Sequence, residues 1–325
     1  KTIQGRPTIH TSKGSVMETL DRLKKFDVIE GNPIQKIWDT SSLSMFLSCP
    51  RLYKYTNLEG YRSKMYAPAM GFGSAVHLGF EVLDMEKFKG ATKDQAVVAS
   101  IKAVLLEYGE AFSQAEDKAR GLTSVLRAIV WRAEEYWEDL FEIATMPNGD
   151  PCLEQRFEVP FGNGYRFSGR IDKIVQLDGK LYLCDVKTTK STLNSNYFSN
   201  FMPNNQVFAY LWAAREVLGL DIVGFIVDAV QTGVHFTRFN RSVYNVPTEL
   251  IKEWYEDALN TLNISTNYFD KQYYPADFTA CNNYGGCRFK EVCSSPPSRR
   301  NLFLDNDFEK EPHPDIKEAY EKANA

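Results

Sequence analysis

The chain is short of several things that would otherwise set its class. It has 4 His and 6 Cys in 325 residues. So few thiols exclude a secreted disulfide scaffold. No run of about 18 apolar residues occurs, so no segment reads as a membrane-spanning helix. No charged-then-apolar leader opens the sequence, and the expected setting is cytoplasmic, microbial or virus-encoded and intracellular. There is no internal repeat, no low-complexity tract and no G-x-x-x-x-G-K-[ST] loop, so no nucleotide-driven motor is built in. The charge also lacks a dominant sign: 38 Lys+Arg stand against 42 Asp+Glu, a net of -4. Nothing global attracts nucleic acid. Attraction of that kind would have to be local, and the charge is in fact unevenly spread. Residues 90–146 hold 6 Lys+Arg against 10 Asp+Glu, while 50–66 and 281–300 are each basic.

What is present is an ordinary globular composition, 43% apolar and 25% charged, on a chain long enough for a sizeable core. Apolar spacing predicts helices over 70–88, 94–108 and 117–144. The last carries Leu122, Val125, Leu126, Ile129, Val130, Ala133, Trp137, Leu140 and Phe141 at helical intervals. A Pro- and Gly-rich breaker follows at 146–151. Strands are expected at 152–161, 165–177 and 180–188, with Asp178-Gly179 as a two-residue hairpin turn. Then come a helix over 203–218, strands at 222–231 and 234–240, and an amphipathic helix over 247–270. Residues 1–40 read as a loose N-terminal arm with a helix over 15–26, 41–295 as one domain with a helical insertion at 90–146, and 296–325 as an acidic tail. The fold class is α/β or α+β.

The hairpin is the most informative stretch. If Leu177 pairs with Lys180, counting back along both strands sets Asp172 opposite Asp185. Opposed like charges destabilise a hairpin unless something offsets them, and a divalent cation such as Mg²⁺ or Mn²⁺ would. Lys187 lies two residues past Asp185 and so shares its face. An exposed, purely structural hairpin is the bland alternative. It is disfavoured because Ile171, Ile174 and Val175 flank one aspartate and Leu183 and Val186 the other.

Gly169-Arg170-Ile171-Asp172 followed by Asp185-Val186-Lys187-Thr188-Thr189 resembles the RecB-like branch of the PD-(D/E)XK nuclease superfamily. Gln206 through Tyr210 is similar to that branch's Q-x-x-x-Y motif, and Gly73 through His77 to its upstream G-x-x-x-H motif. The resemblance implies a mixed central sheet flanked by helices, with a catalytic core at 70–89 and 152–240. It also implies metal-dependent hydrolysis of DNA. His77, Asp172, Asp185 and the Val186 carbonyl would hold Mg²⁺ or Mn²⁺. Lys187 would orient water or neutralise developing charge, and Gln206 and Tyr210 would position DNA or the lysine. Glu154 matches a less distinctive acidic position of the family.

Cys281, Cys287 and Cys293 are spaced C-x5-C-x5-C, wider than the usual zinc steps. Three thiols are an incomplete set. Cys49-Pro50-Arg51-Leu52-Tyr53 resembles the C-P-x-x-Y segment of RecB-like nucleases that carry an iron–sulfur cluster, a group that includes AddB and CRISPR-associated nucleases. That implies a 4Fe-4S cluster on Cys49, Cys281, Cys287 and Cys293, clasping 41–66 to 275–295, with zinc or no metal as alternatives. The family commonly has C-x2-C before its final C-x5-C; here a gap rich in Asn and Gly stands in that place. Cys152 and Cys184 fall in strands and read as inert core.

Arg51, Lys54, Arg62 and Lys64 interleave with Tyr53, Tyr55, Tyr61 and Tyr66, and Arg288, Lys290, Arg299 and Arg300 surround the last cysteines. Cations among rings suit single-stranded DNA. The expected DNA contacts are Arg51, Tyr53, Lys54, Arg170 and Arg288. The expected function is an exonuclease on single-stranded or frayed DNA in recombination, repair or replication. The alternative is a non-catalytic iron–sulfur DNA-binding subunit of a larger repair or spacer-acquisition complex, with protein partners docked on the terminal segments.

Overall fold

Helical spacing folds Pro68–Lys89 (α1), Lys93–Tyr108 (α2) and Leu122–Tyr136 (α3). The structure, a computed structural model, describes residues 24–64, 68–110, 112 and 117–323. A capping box starts α2, where Thr92 accepts from the Gln95 N–H and the Gln95 side chain accepts in return from the Thr92 N–H. A Cβ at Gly79 would stand 2.6 Å from Ile129 Cδ1, so glycine allows α1 and α3 to pack closely. α3 stops eight residues short of the expected 144. Asp139 takes the Phe141 N–H and binds Arg241 (2.8 Å), contacts a continued helix would break. Leu140 is left 82% exposed.

Strands Leu153–Gly162 (β1), Tyr165–Leu177 (β2) and Lys180–Thr189 (β3) follow. Asp178 and Gly179 have φ of 50° and 75°, the left-handed pair that a two-residue hairpin needs. The ladder runs from Leu177↔Lys180 back to Lys173↔Cys184, the register counted from the sequence. It ends one residue before Asp172 and Asp185. The helix Asn205–Trp212 (α4) then carries the chain over to Ile222–Thr232 (β4), which lies parallel to β3. A parallel neighbour needs such a crossover. Thr237–Asn245 (β5) pairs antiparallel with β4, and Thr248–Asp270 (α5) closes the series. The strand order is β5-β4-β3-β2, a mixed sheet. Val76 and Phe80 of α1 pack on Val186 and Val230. β4 is buried along almost its whole length, as a strand covered on both faces should be. Among the described residues no helix is long and apolar enough to cross a membrane.

The described chain divides into two units. One holds Ala67–Arg156 and Arg170–Ile251; the other holds the described residues of Met17–Tyr66, Phe157–Gly169 and Lys252–Ala325. Within the second, Phe26–Ile29 and Asn32–Gln35 form a hairpin and Ile37–Trp38 runs parallel to Arg166 and Phe167. Phe308–Lys310 pairs with Tyr61–Ser63, and Arg300–Asp307 and Pro314–Ala323 are helices. The described parts of the expected arm and tail are therefore ordered. They hold each other: Asp315 accepts from the Lys25 N–H (2.6 Å), a partner too distant in sequence to leave a local signal. Residues 1–23 and Tyr66, including most of the helix expected over 15–26, lie outside the described residues; Phe26 opens a strand.

A buried ion network lies within the first unit. Asp228 is 0% exposed and takes two hydrogen bonds from Arg132 (2.6 and 3.3 Å). Arg241 stands 3.2 Å away and Lys173 3.8 Å; Lys173 also meets Asp84 at 2.9 Å. Burial alone would raise the Asp228 pKa, yet Arg132, Arg241 and Lys173 together hold it well below the usual carboxylate range. Removing one partner of such a group leaves uncompensated charge. Asp228→Ala should therefore cost about 3–5 kcal/mol in urea unfolding. At the exposed Lys322–Glu318 pair, Glu318→Ala should leave the unfolding midpoint almost unchanged. Equal losses at the two sites would contradict this account.

Candidate metal and active site

Asp172 sits where the β2–β3 ladder ends. Its carboxylate accepts the Val186 N–H (2.8 Å), so a side chain takes the place of a strand partner. His77, on α1, brings Nδ1 to 3.3 Å from Asp172 Oδ2. Glu154 lies in β1 with φ of 50°, a left-handed conformation uncommon outside glycine. Such a residue locally re-aims a strand. His77, Glu154 and Asp172 each place one ligand atom within 4.8 Å of the others.

Beside this triad is a closed polar triangle. Lys187 Nζ is 2.5 Å from Asp185 Oδ2. Gln206 donates to Asp185 Oδ1 (2.8 Å) and accepts from Lys187 (2.8 Å). The Asn204 side chain caps α4 by accepting from the Gln206 and Val207 N–H groups, which fixes where Gln206 begins its helix. One turn later Tyr210 bonds to the Gln206 side chain and to the Arg170 backbone.

Burial sets the electrostatics. It pushes Glu154 up to about 7, with the Asp172 charge adding to the effect and Arg170 opposing it. Burial also raises Asp185, against the pull of Lys187 and with a push from Asp172. Glu154 Oε2 and Asp185 Oδ2 are buried, and the partner of each is a single ion-pair cation, Arg170 or Lys187. One imidazole nitrogen with several carboxylate oxygens short of donors is a donor set that fits Mg²⁺ or Mn²⁺.

The structure thus groups His77 and Asp172 with Glu154, the least distinctive of the sequence candidates. Asp185 stands in the neighbouring lysine triangle, and the Val186 peptide enters the site through its N–H. Arg170, expected on DNA, has its Nε 2.7 Å from Glu154 while half its side chain stays exposed. Tyr53 is corrected outright as a DNA contact. It is 2% exposed, stacked on Trp38 at 5.2 Å and bonded through its hydroxyl to Gln35. Apolar packing outweighed the pattern of alternating rings and charges. Arg51, Lys54 and Arg288 keep partly exposed side chains in the second unit. Tyr55 and Phe289, 5.1 Å apart, join the two basic segments there.

Cys49, Cys281, Cys287 and Cys293 all fall in that second unit. The Asp277 N–H points at Cys49 Sγ (3.4 Å). Burial raises the Cys287 thiol, the Phe289 N–H lowers it, and Cys281, Cys293 and Cys49 add to the rise. Cys152 and Cys184 are buried, their thiols pushed up to about 12 by burial, which leaves them unreactive.

The chain matches the family model of the PD-(D/E)XK nuclease superfamily over residues 38–294 and belongs to that superfamily. It is similar, at 15% identity and a TM-score of 0.47, to the crystal structure of a candidate exonuclease from Eubacterium rectale, covering 82% of this chain and 92% of that one. It is also similar to a solved structure named SSO0001, at 14% identity and a TM-score of 0.29, over 70% of this chain and 76% of that one. No curated protein matches it.

The Glu154 shift has a consequence for stability. Unfolded, this carboxyl ionises near its ordinary 4.5; folded, it keeps its proton to about 7. Between those values the folded metal-free protein binds more protons, so its stability falls as pH rises through the window. Urea unfolding in chelator should show this fall, and Glu154→Gln should flatten it relative to wild type. Parallel pH profiles for the two proteins would refute the assignment.

Proposed function

We propose that this chain is a divalent-metal-dependent deoxyribonuclease, an exonuclease on single-stranded or frayed DNA. The observation that carries this reading is the His77–Glu154–Asp172 group placed beside a lysine that two acceptors hold in place. His77, Glu154 and Asp172, with Asp185 and the Val186 carbonyl alongside, would hold the cation. Bound there, Mg²⁺ or Mn²⁺ supplies Lewis acidity and a water of lowered pKa. Lys187, fixed by Asp185 and Gln206, orients the attacking water and offsets charge that develops on the phosphate. Gln206 links the lysine to the carboxylate, and Tyr210 locks Gln206. The partly exposed Arg51, Lys54 and Arg288 make a basic surface in the second unit for the DNA backbone. Cleavage of strands labelled at either end should require Mg²⁺ or Mn²⁺. Asp185→Ala and Lys187→Ala should each lower it by about 10²-fold or more while largely sparing DNA binding. Full activity in either variant would sink the assignment.

We also assign Cys49, Cys281, Cys287 and Cys293 to a 4Fe-4S cluster that ties 41–66 to 275–295 within one nuclease domain spanning 41–295. Two observations support it: all four thiols lie in the second unit, and an apolar shell of Tyr55, Phe289, Val292 and Phe308 packs on Cys287 and Cys293. Burial and an apolar shell are the protein's usual levers on such a cluster. A brown protein absorbing near about 400 nm is expected, from thiolate–iron charge transfer. A colourless protein with stoichiometric zinc would overturn the cluster.

A further inference from the structure

We propose that Tyr197 and Phe201 form a stacking platform for an unpaired nucleobase beside the cleavage site, and so favour single-stranded ends. The inference rests on the nuclease reading above and names how its substrate is chosen. Both residues lie in the segment that leads from β3, which carries Lys187, into α4, which carries Gln206 in its first turn. From Ser191 to Asn205 that segment has no charged residue, so nothing in it repels a phosphodiester chain.

Its backbone is held by side chains rather than left loose. Asn194 accepts the Tyr197 N–H (3.0 Å). Asn200 donates to the carbonyls of Asn196 and Tyr197 (3.0 and 2.9 Å). Phe198 is buried, and its carbonyl accepts from the Tyr244 hydroxyl (2.7 Å). Above this base the Tyr197 and Phe201 rings meet at 5.5 Å between centroids, tilted by 63°, and both stay partly exposed. Lys187 and Gln206, which bracket the segment, are hydrogen-bonded (2.8 Å), so the segment leaves and returns at the site; burial and then the Asp185 charge both raise the Tyr197 hydroxyl.

A ring pair fixed before the substrate arrives loses little freedom on binding, and every base has a face that can stack on it. A base inside a duplex is already stacked and paired, and must first be freed at a cost. The platform therefore selects frayed or single strands without reading sequence.

The test combines a base deletion in the strand with a ring deletion in the protein. A single strand with one abasic residue next to the cleaved bond should raise the wild-type KM about tenfold. The Tyr197→Leu/Phe201→Leu variant should show a similar rise on the intact strand and little further rise on the abasic one. With chelator present, wild type should quench 2-aminopurine placed at that position, and the double variant should not. The wild-type abasic measurement stands even if the double variant does not fold. A wild-type KM indifferent to the abasic site, with cleavage intact, overturns the platform alone. A wild type that cleaves no DNA overturns the nuclease reading and the platform with it.

Discussion

Glu154 of β1 and Asp172 of β2 converge with His77, Asp185 of β3 stands beside them, and all three carboxylates are largely withdrawn from water. Bringing like charges together out of water is costly, and the surroundings are organised around that cost. Asp172 is met by a backbone N–H and an imidazole, Asp185 by a lysine and an amide, Glu154 by an arginine. What these partners do not offset shows as carboxyls that hold protons above their usual range. A site in that condition favours a bound cation, and the same tension that destabilises it when empty would draw metal into it.

The sheet that carries the site is stiffened by a second set of charges. Val186, whose N–H binds Asp172, pairs across the parallel ladder with Asp228. Lys173 follows Asp172 directly and reaches Asp84 and Asp228. Successive residues on a strand point to opposite faces, so β2 turns Asp172 to one side and Lys173, a member of the ion network, to the other. Asp228 is fully buried, yet three cations surround it, and a network satisfied in this way specifies a single arrangement. The position of Asp172 is thereby coupled to packing among α1, α3 and β4.

Much of the first unit was legible because its signals are local. A two-residue turn sets hairpin register, so counting from Asp178-Gly179 located the ladder up to Cys184. The i, i+4 spacing of Gln206 and Tyr210 placed both on one face of α4, where they bond to each other. The readings that failed depended on distant partners. α3 ends early because Asp139 binds Arg241, about a hundred residues on. The described parts of the two terminal segments are held where Lys25 and Asp315 meet. Tyr53 stood in a row of rings and cations that resembled a DNA surface, but Trp38 and Gln35 draw it inside.

By itself, then, the sequence determined the chemistry and the local geometry: which strands carry Asp172 and Asp185, that Lys187 shares the Asp185 face, and that His77 precedes them on a helix. These follow from strand alternation, helical spacing and turn conformation, each acting over a few residues. Only the tertiary structure decided that Glu154 completes the group with His77 and Asp172 while Asp185 closes on Lys187 and Gln206. That choice rests on a left-handed residue within β1 and on the approach of α1, and neither has a local signature in the chain.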